Sequence, residues 1–76
     1  MKIKLEIPKE VVVVPERRIT ISEIEILEII DSKNEHKLYV ITSQLGIINL
    51  WTGIEYIANA DWTNNDVIEK IKEIYS

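Results

Sequence analysis

Sixteen isoleucines and six valines stand in a chain of 76 residues, with five leucines and no phenylalanine. This β-branched surplus constrains the fold more than any other feature. Such side chains are stiff at χ1 and pack well on a pleated surface, so they favour sheet over helix. With 76 residues there is room for one core, and 1–76 reads as a single domain. The chain contains no cysteine, which removes disulfides, thiolate metal sites and a cysteine nucleophile together. Apolar packing or self-association must supply the stability that such staples give other small domains.

Met1, Ile3, Leu5 and Ile7 alternate with Lys2, Lys4 and Glu6, the period-two mark of a strand with one buried face. Pro8-Lys9-Glu10 reads as a turn into Val11–Val14, an apolar run with the look of a strand buried on both faces. If exposed, Val11, Val12, Val13 and Val14 would form a self-associating edge. The charged and proline residues on either side (Pro8 to Glu10, Pro15 to Arg18) act as gatekeepers. Between Ile19 and Ile30 two readings compete. Ser22-x-x-Glu25 matches a helix capping box, whereas the isoleucine-rich alternation favours strand. That alternation is in phase at Ile24 and Ile26 and slips by one at Leu27 and Ile29, as a β-bulge would cause. Strand is the expectation, with helix over 22–30 as the alternative. Asp31 to Glu35 is a polar loop, Lys37–Thr42 a further strand, and Ile47–Trp51 another after a turn in which Gly46 takes positive φ.

The phrase Trp51-Thr52-x-x-Glu55-Tyr56 returns as Trp62-Thr63-x-x-Asp66-Val67. In the second copy Thr63 is placed to cap a helix, with Asp66 reaching back and Trp62 and Val67 as a hydrophobic staple. Val67, Ile68, Ile71, Ile74 and Tyr75 then fall on one face of a C-terminal amphipathic helix over about 63–75. The first copy fits the same device, with a short helix over about 52–59. Its rival is a hairpin turn at Thr52-Gly53 with a strand over 54–58. The repeat thus reads as two helix starts. The aromatic side chains have a second use: Trp51, Tyr56 and Trp62, partly exposed together, would make a protein-interaction patch.

Reaction chemistry has little to stand on. His36 is the one histidine, at a loop-to-strand junction, without a recognisable nucleophile motif. Two glycines cannot build a phosphate-cradling loop. Asp61, Asn64, Asn65 and Asp66 gather oxygen ligands but not in a calcium-loop pattern, and a helix N-terminus accounts for them. No catalytic residue, cofactor or metal is expected. The formal net charge is −4, and the acidic excess sits in the second half of the chain. This disfavours a phosphate backbone as partner, since such binding needs clustered cations. Arg17, Arg18, Lys33 and Lys37 are the residues a nucleic-acid-associated regulator would use. No apolar run approaches the ~20 residues of a membrane span, and no signal-peptide pattern is present. The expectation is a soluble cytoplasmic protein.

From Lys37 to Tyr75, Gly46 followed by an apolar strand into Leu50-Trp51, then Gly53, Tyr56, Trp62-Thr63 and Asp66-Val67 form a pattern. It resembles small proteins encoded in phage and prophage genomes of Gram-positive and related bacteria. The likeness covers roughly residues 36–75. It implies a phage accessory or assembly role and a place in the host cytoplasm, and it transfers no site residues. The fold expected is α+β: an antiparallel sheet of four to five strands with the short helix and the amphipathic helix packed on one face. The function expected is a non-catalytic protein–protein interaction or assembly protein, its partner another protein or itself.

Overall fold

The computed structural model describes residues 1–13 and 16–76. Among them the chain forms four strands, β1 (Lys2–Val13), β2 (Arg17–Ser32), β3 (Lys37–Thr42) and β4 (Gly46–Thr52), then two helices, α1 (Ile54–Ala58) and α2 (Asn64–Ile74). The strands form an antiparallel meander in the order β1-β2-β3-β4, a curled sheet in an α+β fold.

β1 corrects the expected turn at Pro8. Lys4 pairs with Glu23 and Lys9 with Ile21, so Leu5 to Pro8 lie opposite Ser22 alone. A bulge on an edge strand tolerates a residue with no backbone N–H, so the proline deforms the strand without ending it. The two short strands expected on either side of Pro8 are therefore one. Val11–Val13 are also not buried on both faces: Val12 is 66% exposed, while Val11 and Val13 are half-buried. Val14, the last residue of the expected edge, lies outside the described residues.

β2 resolves the contested segment as strand. Ile26 pairs with Thr42 and Glu28 with Ile41, so Leu27 is the extra residue of a bulge. Before it, Ile24 and Ile26 are buried; after it, Ile29 packs against the core, opposite buried Val40. The slip in the isoleucine pattern is this bulge. A second irregularity falls in β4. Leu38 pairs with Trp51 and Tyr39 with Asn49, so Leu50 is extra there, and Leu50 and Trp51 both reach the core.

The core joins Ile3, Ile21, Ile24, Ile26, Leu38, Val40, Ile48, Leu50 and Trp51 from the sheet to Val67 and Ile71 from α2. Leu38, Val40, Val67 and Ile71 retain no accessible surface. At the β3–β4 turn the buried Thr42 Oγ1 donates to the Gly46 carbonyl at 2.9 Å and accepts from Leu45 N–H at 3.0 Å. The turn's polar groups are thus satisfied where water is scarce. Gly46 adopts φ 68°, as its sequence position suggests.

The two Trp-Thr phrases have different structures. At α2 the capping box forms: Asp66 N–H donates to Thr63 Oγ1 at 3.3 Å, and Thr63 N–H donates to Asp66 Oδ2 at 2.8 Å. At α1 it does not. Thr52 stays in β4, paired with Lys37, and Gly53 becomes the N-cap at φ 58°, ψ −124°. That conformation belongs to the glycine-favouring first corner of a type II′ turn. The chain therefore reverses at Gly53, and the expected cap of Thr52 on Glu55 is lost to the sheet ladder.

Candidate interaction surface

The bulge at Leu27 decides what lies on each side of the sheet. With one residue added, Ile29 and Asp31 come into the inward phase, and Asp31 pairs with Leu38, which pairs with Trp51. A carboxylate thus ends an otherwise apolar inward row. Its two oxygens are both used: Tyr56 Oη donates to Oδ1 at 2.5 Å and Trp62 Nε1 donates to Oδ2 at 3.3 Å. The Tyr56 hydrogen bond, with help from Trp62 and nearby Lys33 and against partial desolvation, holds the Asp31 carboxyl below its ordinary range. The same hydrogen bond raises the Tyr56 hydroxyl, and desolvation and the Asp31 charge add to this.

His36 completes this corner. Its ring stacks on Tyr56 with centroids 5.9 Å apart and planes 14° from parallel, and its carbonyl accepts from Gly53 N–H at 2.9 Å. The residue sits at φ 51°. Ser32 Oγ donates to Glu35 at 3.1 Å and not to His36. These groups therefore do not line up as nucleophile, base and orienting acid. What the arrangement does is fasten α1, which has no buried residue of its own, and the α1–α2 link to the end of β2.

The three aromatic residues of the expected patch are consequently separated by role. Trp51 is 7% exposed and belongs to the core. Tyr56 and Trp62 are half-buried against that core, with their polar ends turned to Asp31. Beside Tyr56, Ile54 and Ile57 of α1 are exposed, and further exposed apolar residues lie on the sheet. On the outer side of the sheet Ile30 pairs with Tyr39 and Ile41 with Ile47. Ile30, Tyr39 and Ile41 are half-buried, Ile47 is 63% exposed, and the bulge residue Leu27 is 60% exposed. Lys37 Nζ stands 5.9 Å from the Tyr39 ring centre on the same side. Neither Leu27 nor Ile47 was marked as a contact residue by sequence reasoning, although the β3–β4 pairing and the phase slip imply both.

The four cations are not gathered. Arg17 and Arg18 open β2, where Arg18 pairs with Glu10 at 3.1 Å, while Lys33 and Lys37 flank the turn at the other end of that strand. Asp66 is engaged by the α2 cap, and among the described residues no group of three or more His, Cys, Asp or Glu is placed to hold a metal ion. No helix among them is long and apolar enough to cross a membrane. Compared with protein-family models, curated proteins and solved structures, the chain matches none.

Proposed function

We propose that this chain is a non-catalytic protein–protein interaction or assembly module whose contact surface is the outer side of the sheet. In this reading both helices cover the core-bearing side and leave Leu27, Ile30, Tyr39, Ile41 and Ile47 for a partner. The carrying observation is the exposure of Leu27 and Ile47 beside half-buried Ile41 and Tyr39. Glu28, paired with Ile41, places one charge among them, and exposed apolar residues gathered beside polar ones are a mark of interaction surfaces. The resemblance to phage and prophage proteins adds an accessory or assembly role, in the cytoplasm of the host, to the same proposal.

The test is a charged outer face. Leu27→Lys with Ile41→Lys should leave the circular dichroism spectrum intact, since both side chains stand outside the core cluster. Wild type should self-associate in solution or be cross-linked to a stable partner, and the double variant should do neither. Identical behaviour of the two proteins in both assays would remove the proposal. The nucleic-acid reading, which needs Arg17, Arg18, Lys33 and Lys37 on one surface, gains nothing from their positions at opposite ends of β2.

A further inference from the structure

Between Gly53 and Thr63 the chain has little of its own to keep it in place. Only Tyr56, Asn59 and Trp62 are half-buried there; the other residues are exposed, Ile54 at 87% and Ile57 at 60%. Isolated helices shorter than ~12–15 residues are marginal in water, and α1 has five. Its backbone bonds stay local: Ile57 N–H donates to the Gly53 carbonyl at 3.2 Å, Asn59 N–H to that of Glu55 at 3.1 Å and Trp62 N–H to that of Asn59 at 3.0 Å. Among the described residues, every hydrogen bond that runs from 54–62 to the sheet ends on one side chain, Asp31. Tyr56 donates to one of its oxygens from α1, and Trp62 donates to the other from the link. The His36 ring stacks on the same Tyr56.

The two ends of the segment are fixed by other means. Gly53 N–H donates to the His36 carbonyl at 2.9 Å, so the corner after β4 stays with the sheet. Thr63 belongs to the α2 capping box, and α2 is anchored by Val67 and Ile71, which have no accessible surface. We infer that residues 54–62 form a hinged flap: Asp31 is its single latch, and the flap opens as one unit while the sheet and α2 stay folded. The pivots are Gly53, at φ 58°, and the Trp62–Thr63 junction before the cap. Positions at the ends of elements absorb such changes of φ and ψ.

One shared acceptor makes the opening cooperative. Each donor holds the carboxylate in the rotamer that the other needs, so the two bonds form and break together, and such coupling is reciprocal. Opening frees the faces of Tyr56 and Trp62 that pack against the core and joins them to exposed Ile54 and Ile57. The closed form thus conceals part of the chain's apolar surface behind a polar fastening. Openings of this kind, easier than global unfolding, belong to segments with few buried contacts.

Hydrogen exchange of the full chain, resolved residue by residue, tests the latch. In the wild type the amides of Ile57, Asn59 and Trp62 should share one protection factor, roughly tenfold or more below that of Ile71, and should respond less steeply to urea. Tyr56→Phe removes only the bond to Oδ1, yet it should speed exchange at Trp62 by the same factor as at Ile57, about tenfold. Trp62→Phe should do the converse. In an Asp31→Ala background, adding Tyr56→Phe should change none of these rates further. If Tyr56→Phe speeds Ile57 and leaves Trp62 unchanged, the two contacts act separately and there is no single latch. If Ile57 and Trp62 are as protected as Ile71, the segment opens only with the whole molecule. If they exchange like an unstructured chain, Asp31 does not hold the flap. Each of these three results overturns the inference.

Discussion

Asp31 shows what a single residue does in this chain. One carboxylate ends the inward row and receives Tyr56 and Trp62, so its charge holds α1 and the α1–α2 link to the sheet. Its value in the folded protein is depressed, so the contribution is present at neutral pH and is lost as pH falls below about 4. Tyr56 is shifted the other way, so its contribution is present below about pH 10 and is lost as pH rises beyond that. Trp62 fluorescence should report both limits, and Asp31→Asn should abolish the acid transition while speeding amide exchange in α1. An acid transition unchanged in Asp31→Asn would assign it to other carboxylates. At Thr63 the side-chain cap is direct, and Thr63→Ala should cost about 1 kcal/mol in a urea melt. Thr63 and Asp66 were legible from spacing alone. Asp31 was not, because it stands among polar loop residues and its inward direction depends on one inserted residue four positions earlier.

Elements were legible where local rules and sheet pairing agree. The α2 cap and amphipathic face, the β3 and β4 strands and the Gly46 turn all follow from nearest neighbours in sequence. Pro8 and Thr52 show the opposite. Each carries a strong local signal, turn for one and cap for the other, and each is overridden by pairing with a distant strand. The apolar face of α2 also divides in a way periodicity cannot show. Ile71 has no accessible surface, while Ile74 is 41% exposed. Ile71→Ala should therefore cost about 2–5 kcal/mol, and Ile74→Ala should stay within about 0.5 kcal/mol in the same melt. Gly53→Ala tests the corner between β4 and α1. A Cβ there meets nothing within 4 Å, so the expected loss of about 1–3 kcal/mol comes from backbone conformation alone.

For the whole molecule, the apolar wealth of the sequence exceeds what one small core absorbs. Among the described residues eleven hydrophobic ones are buried, yet Leu27 and Ile47 remain largely exposed on the outer side of the sheet. Composition alone announces such a surplus but not its address; on the outer side of the sheet the address follows from the bulge at Leu27 and the pairing of Ile41 with Ile47, while Ile54 and Ile57 expose a further share on α1. We propose that protein–protein contact, in the first instance self-association, uses this surplus. Absolute mass by light scattering behind a sizing column, at several concentrations and two salt levels, tests it most directly. The expected mass climbs with concentration from the 8.9 kDa of one chain, and added salt does not reverse the climb if the proposed contact is chiefly apolar. A mass fixed at 8.9 kDa across the whole range would contradict it.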